Sequence, residues 1–528
     1  MNLQRLYETI RHLKWQQVFY RFYYPLKRIF FRTNAISAAA SAAASDFPEI
    51  KMPFIAVTGL FQPADNSFHF LNISHSFCET IDWDFNGNSR LWCYNLNYFE
   101  WLLDENISIQ DRGATILDFL KTPAPQRQTA IEPYPVSLRS IHWILFSGKH
   151  GFKENSLLQE LHQDIQRIAA FPEHHILANH LLENAFALFC GAHFFNEKKW
   201  FLKSKTLLSE QLKEQMLPDG GHFELSPMYH ALLLYRLLIC IGVSKDSKRF
   251  QDEALDTFLR EKAAIMLGWL KAFSFANNRF ALMNDAAENI APDNIAIFRL
   301  AEFLNICSRE TELKECGYRK IKGANWEMLL DIGNIQPDYQ PGHAHADTFS
   351  FCLNIDNEPF IVDTGISSYA NDQIRQVERS TAAHNTISAG EKNSSDVWSA
   401  FRTGRRAIVQ ILEESKNRLR AVHDGYKYLN FFHERNISWN EYKIEIKDEI
   451  TKINKEKIYT LLHFHPSVVL NKVADNIYMA NNTHIKLYGV KSINIEEYQF
   501  NNSFNERKLA KKLVGIADNS TTIVIELN

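Results

Sequence analysis

Between about residues 90 and 310, apolar residues recur at three- and four-residue intervals, and this spacing predicts a long series of helices. Clear examples run from Leu157 to Phe171, from Leu181 to Phe194 and from Tyr229 to Ile241. Short breaks such as Leu217-Pro218-Asp219-Gly220-Gly221 separate them, so the helices are expected to pair as hairpins and curl into a toroid or solenoid. No repeat of fixed period is visible, which weighs against a regular solenoid. Near 310–325 the pattern turns strand-like. Runs follow at Phe349–Ile355, Arg406–Leu412, Arg418–Val422, Tyr442–Ile450, Lys457–His465, Ile485–Tyr488 and Thr521–Leu527, parted by turns rich in Asn, Asp, Lys and Gly. They predict an antiparallel β-sandwich. Helices followed by strands imply separate domains, a multidomain α+β chain, with the cleft at the junction as the default ligand site. Residues 46 to 90 read as irregular, with a few short strands.

Asn34 to Ser45 (NAISAAASAAAS) reads as a flexible or weakly helical linker. Ahead of it, Arg5, Arg11, Lys14, Arg21, Lys27, Arg28 and Arg32 are interleaved with Trp15, Phe19, Tyr20, Phe22 and Tyr23. Such a helix docks on the protein body or lies on an anionic membrane surface. It lacks the uninterrupted apolar core and small-residue cleavage site of a secretory signal. No later apolar run is long enough to suggest a membrane span.

At 528 residues the chain is expected to hold two or three domains. Its net charge of −3 gives no general drive toward nucleic acid. The seven cysteines, odd in number and scattered without a CxxC pair, argue for reduced thiols rather than a disulfide framework.

The stretch Gly342 to Asn385 (GHAHADTFSF…PFIVDTG…ERSTAAHN) concentrates the candidate chemistry. If it is a strand, His343 and His345 share one face. Asp363 follows an apolar run that would end by delivering its carboxylate, and His384 sits in a polar turn. Two imidazoles and a carboxylate form a ligand set for zinc, leaving one histidine for proton transfer or charge stabilisation. Upstream, Asn179 suits a helix N-cap, or else points with His180 into a cleft where backbone N–H groups favour an anion. In PDGGHFELSPMYH, Ser226-Pro227 starts a helix and places Tyr229 in its first turn. Near a cationic wall Tyr229 would ionise more easily and serve as an acid or base. Arg139 offers a planar fork for a carboxylate or sulfate, and Asn284-Asp285 could line the same cleft.

In this order, NHLLENAFAL, DGGHFELSPMYH, GHAHAD, FIVDTG, RSTAAHNT and WSAFRTGRRA resemble the heparinase II/III-like family of polysaccharide lyases, from about Trp92 to at least Ala407. The resemblance implies an incomplete α/α toroid followed by an antiparallel β-sandwich, with the active site between them. The expected boundaries are 1–45 for the basic segment and linker, 46–315 for the toroid and 316–528 for the sandwich. It implies β-elimination on a uronate-containing polysaccharide, as on heparin, heparan sulfate, alginate or a bacterium's own surface polymer. Asn179, His180, Tyr229 and His343 match catalytic positions. His345, Asp363 and His384 match a metal site for zinc or another divalent ion, structural in role. Tyr134, Arg139, Glu224 and Arg379 are the candidate substrate contacts. The expected location is the bacterial cell envelope, periplasm or cytoplasm. Two other readings compete: a toroid glycoside hydrolase using Glu183 with Glu224 or Asp219, and a non-catalytic carbohydrate-binding protein of surface-polysaccharide assembly.

Overall fold

The computed structural model describes residues 3–33, 46–55, 57–451 and 456–527, so the expected linker over 34–45 lies outside the described residues. Two N-terminal helices, α1 (Leu3–Ile10) and α2 (Trp15–Phe30), precede a small antiparallel sheet over residues 61–76. The toroid follows: α3 (Arg90–Tyr98), α4 (Ile109–Lys121), α5 (Pro133–His150), α6 (Asn155–Ala170), α7 (Ala178–Phe195), α8 (Lys198–Gln215), α9 (Pro227–Ser247), α10 (Glu253–Phe273) and α11 (Asn294–Phe303). Helices α5, α7 and α9 are apolar nearly all round and pack as the core, with α7 between the other two. Helix α9 has the length and composition of a membrane span, but 83% of that window is buried in the protein, as befits a core helix.

The change from helix to strand falls between Phe303 and Tyr318. A four-stranded sheet (Tyr318–Lys322, Trp326–Asp331, Phe351–Ile355, Glu358–Ile361) faces a ten-stranded one. The larger sheet runs in the order Val409–Ser415, Arg418–His423, His433–Asn440, Lys443–Ile450, Lys508–Glu526, Thr483–Phe500, Ile477–Ala480, Leu470–Ala474. Ile458–His463 joins it by pairing with Lys508–Glu526 and with Ile387–Ala389. All described ladders in both sheets are antiparallel, and one apolar core unites them: Trp326, Leu330, Phe351 and Leu353 from one sheet meet Ile437, Ile446, Leu487 and Ile525 from the other. The helical toroid followed by an antiparallel sandwich is the fold expected from the hydrophobic pattern. The seven cysteines are all free thiols.

The structure corrects the expectation for Arg139. Its side chain is fully buried between α5 and α6, donating to Asp164 Oδ2 from Nε (3.1 Å) and Nη2 (2.6 Å) and to the Ala130 carbonyl from Nη1 (2.7 Å). It cannot reach substrate. A guanidinium in a toroid wall survives only because its carboxylate partner is buried with it, and removing Arg139 leaves Asp164 with Arg167 alone, at 2.6 Å. Arg139→Met should therefore destabilise the protein by about 3 kcal/mol in denaturant titration, the low end for a broken buried pair because Arg167 remains. A substrate-contacting arginine would instead leave stability nearly unchanged.

Candidate active site

Helices α5, α7 and α9 carry their first turns to one cleft. Tyr134 is in the first turn of α5, Asn179 and His180 in that of α7, and Tyr229 in that of α9. Ser226 caps α9 by accepting the Tyr229 N–H at 3.3 Å, and Pro227 occupies the first position, as the motif predicts. Asn179 is not the N-cap of its helix. Leu177 holds that place, and Leu177 and Ala178 both have positive φ (68° and 53°). Leu225 (56°), next to Glu224, and Asn284 (55°), next to Asp285, repeat the feature. Such residues carry roughly 1–3 kcal/mol of strain each, and their placement beside functional side chains is how the fold aims them.

Freed from capping, Asn179 donates its backbone N–H to Glu224 Oε1 (3.0 Å) and its side-chain amide to Oε1 (3.0 Å) and Oε2 (2.8 Å). Glu224 is almost wholly buried, so it positions Asn179 rather than meeting solvent; its other neighbour is His343 Nε2 at 3.3 Å. His180 places Nδ1 3.1 Å from Glu173 Oε1, and Glu173 is anchored by Asn184 Nδ2 at 3.1 Å. Burial works against the imidazolium, but the Glu173 carboxylate outweighs it, so the His180 pKa lies above its ordinary value. The Tyr134 ring packs 4.6 Å from the His180 ring.

Opposite, the Tyr229 ring stacks on His343 with centroids 4.0 Å apart, and its hydroxyl meets the Tyr369 hydroxyl at 3.2 Å. Desolvation raises the Tyr229 pKa and the Tyr369 hydrogen bond offsets it only in part, so the phenol is protonated at neutral pH. The expected easy ionisation does not hold, because the nearest strong cation, Arg375, is committed elsewhere.

That commitment is to Asp285. This fully buried carboxylate receives two N–H groups of Arg375 (2.5 and 2.6 Å) and contacts His343 Nδ1 and His345 Nε2, each at 2.9 Å. Burial opposes its charge, but Arg375 and the two histidines hold its pKa well below the usual carboxylate range. The segment bearing His343 and His345 is an irregular loop rather than a strand, so the shared carboxylate, not a β-face, brings the two rings together. Arg379 is also buried. It donates to the carbonyls of Ala344 (3.1 and 2.8 Å), Ser399 (3.0 Å) and Ala400 (3.2 Å), and so braces the histidine loop instead of contacting substrate.

Behind His343, the rings of His345 and His384 lie 5.4 Å apart. His345 Nδ1 and His384 Nε2 are buried with no hydrogen-bond partner among the described residues. Asp363 is occupied by His384 Nδ1 (2.7 Å) and the Gly365 N–H (3.0 Å). Gly365 has a φ of +69°, and a Cβ there would lie 1.8 Å from the Asn501 carbonyl. Among the described residues no three His, Cys, Asp or Glu side chains converge as a ligand group.

The sequence motifs point only weakly to Asp285, and not at all to Tyr369, Arg375 and Glu173. Arg375 and Tyr369 lie just after the DTG turn, and only the three-dimensional path of that loop brings them to the cleft. The carboxylates that a hydrolase would need are otherwise engaged. Glu183 lies 3.8 Å from the buried Arg236, Asp219 accepts the N–H groups of Gly221, Lys314 and Cys316, and Glu224 holds Asn179.

Comparison with known proteins agrees with this architecture. The sequence model of the heparinase II/III N-terminus matches residues 129–314, and that of the heparinase II/III-like C-terminal domain matches residues 308–524. The heparin-sulfate lyase of Pedobacter heparinus is 24% identical over 282 residues, a stretch covering 47% of this chain and 42% of that protein. The crystal structure of heparinase III superposes with a TM-score of 0.61 at 16% identity, covering 99% of this chain and 93% of the other. The heparan sulfate lyase from Pedobacter heparinus gives a TM-score of 0.55 at 17% identity over 93% and 83%. These structural likenesses concern the fold. Matched in order by both domain models and sharing the toroid-and-sandwich fold, the chain belongs to the heparinase II/III-like family.

Proposed function

We propose that this chain is a polysaccharide lyase that cleaves a uronate-containing acidic polysaccharide by β-elimination. The observation that carries the reading is the pairing, across one cleft, of a Glu173-backed histidine with a protonated tyrosine stacked on His343. The C5 proton of a uronate is weakly acidic until the carboxylate charge is masked. The positive ends of three helices and His343 support that masking, and Asn179, whose amide donates to both oxygens of Glu224 in this structure, joins them by turning one N–H from Glu224 to the substrate. His180 uses Nδ1 on Glu173, and among the described residues its Nε2 has no hydrogen-bond partner, on a side chain 32% exposed. This arrangement suits it to take the C5 proton. Tyr229, protonated at rest, then supplies a proton to the leaving glycosidic oxygen, with Tyr369 orienting its hydroxyl. No water nucleophile enters, which fits a cleft without a free carboxylate pair. The heparin-sulfate lyase relative makes sulfated uronate polymers the first substrates to try, followed by alginate and bacterial surface polymers.

The same reading includes a divalent metal behind the histidine loop. Two buried, unpartnered imidazole nitrogens are costly unless something binds them, and an ion held by His345 and His384 would satisfy both. Asp363 would then fix the His384 tautomer from outside the ligand shell. When bound, the ion would order the loop that presents His343; the elimination itself is carried by the side chains above.

The decisive experiment is ultraviolet absorbance of the protein mixed with a panel of uronate polysaccharides. The wild type should generate the unsaturated-uronate band on at least one polymer. Tyr229→Phe should reduce the rate by 100-fold or more while leaving KM nearly unchanged, about 3 kcal/mol of transition-state stabilisation. Full activity in this variant would remove Tyr229 from the mechanism.

Glu173→Gln should move the His180 titration to lower pH, read from its imidazole NMR resonances; an unmoved midpoint would uncouple the pair. The sign also fixes its pH window. The Glu173 pKa is lowered, so its contribution to stability is lost as pH falls through a value below 4.5, and that of His180 is lost as pH rises through a value above 6.5. Elemental analysis should find less bound metal in His345→Ala and His384→Ala than in the wild type. Equal content in all three would place the ion elsewhere.

A further inference from the structure

The N-terminal helices present a face that the fold leaves open. Of the 29 large hydrophobic residues exposed among the described residues, eleven lie between Leu3 and Phe30. In α2 the outward residues Trp15, Phe19, Phe22, Leu26, Ile29 and Phe30 recur at intervals of three and four, forming one continuous apolar stripe. Trp15 is 70% exposed, Phe22 73% and Phe30 85%. Only Gln17 and Tyr24 of α2 are buried, and α1 buries nothing.

The opposite face of α2 is firmly docked. Gln17 donates to the Ile176 carbonyl at 3.1 Å, Tyr24 donates to that of Pro172 at 2.5 Å, and Tyr20 stacks on His174 with centroids 4.6 Å apart. Helix α1 is tied to the sandwich by Arg5 and Asp396 at 2.7 Å. The apolar stripe is therefore held outward by a helix that cannot roll it inward.

Charge selects the partner. Residues 3–33 carry seven Lys and Arg against one carboxylate, Glu8, in a chain whose net charge is −3. Arg21, Arg28 and Arg32 are exposed, with Arg21 and Arg28 on α2 and Arg32 just beyond its end. Exposed apolar side chains on a segment this rich in cations match a lipid surface, with the rings among the acyl chains and the guanidinium groups at anionic headgroups.

We infer that α1 and α2 form a docking surface for an anionic lipid bilayer. It is independent of the reaction assigned to the cleft. Its inner face packs on residues 172–176, which lead into Asn179.

The test is flotation of the full chain with vesicles of pure phosphatidylcholine or of an equimolar mixture with phosphatidylglycerol. The wild type should float with the anionic vesicles, less at high salt, and remain behind with the neutral ones. Phe22→Asp with Leu26→Asp, and separately Arg21→Glu with Arg32→Glu, should each lower the bound fraction at least tenfold, with circular dichroism unchanged. No flotation of the wild type, or flotation indifferent to both pairs, overturns the proposal. A dimer in solution that Phe22→Asp with Leu26→Asp converts to monomer, without lipid binding, also overturns it and gives the face to a second copy.

Discussion

The site depends on one buried carboxylate. Asp285 lies in the segment between α10 and α11, and it binds three side chains from beyond the domain boundary: His343, His345 and Arg375. Its backbone joins the same knot. The Asp285 N–H donates to the His343 carbonyl at 3.1 Å, and its carbonyl accepts from Ser226, the cap of the helix bearing Tyr229. An isolated charge at this depth would be prohibitive, and the bidentate Arg375 fork with two imidazoles makes it tolerable. The knot holds toroid and sandwich in a register that lets His343 stack on Tyr229.

Around that knot the fold accepts local cost for geometry. Strained residues precede Asn179 and Asp285 and follow Glu224. The regular structure supplies what they need: three core helices whose first turns share the cleft, and a close sandwich packing that allows little drift. The electrostatic outcome is a division of labour. Glu173 raises the basicity of His180, while burial keeps Tyr229 protonated. The two groups are thus tuned in opposite senses, each by its own surroundings, as the proposed base and acid require.

The fold was largely legible from periodicity, because long helices and alternating strands bury their apolar faces at different spacings. The expected strands at Arg418–Val422 and Tyr442–Ile450 correspond to Arg418–His423 and Lys443–Ile450 in the structure. The site was legible only in part. Short motifs nominated Tyr229 and His343, whose rings stack, and His180, which the structure sets against Glu173 and Tyr134. Arg139 misled because an arginine seeking a carboxylate in sequence looks the same whether that carboxylate belongs to substrate or to Asp164. Asn179 was legible as a residue at a helix start, but its role against Glu224, 45 positions away, needed the tertiary fold. Asp285 was hardest to read, since nothing local distinguishes a buried organising carboxylate from an exposed one.

The central claim is that this cleft breaks a glycosidic bond by moving protons, without a water nucleophile. Mass spectrometry of the products from a single defined uronate oligosaccharide tests it most directly. Elimination conserves atoms, so the two fragments should sum to the mass of the parent, one of them carrying the unsaturated sugar. Fragments that sum to the parent plus one water would mean hydrolysis, and would contradict the account.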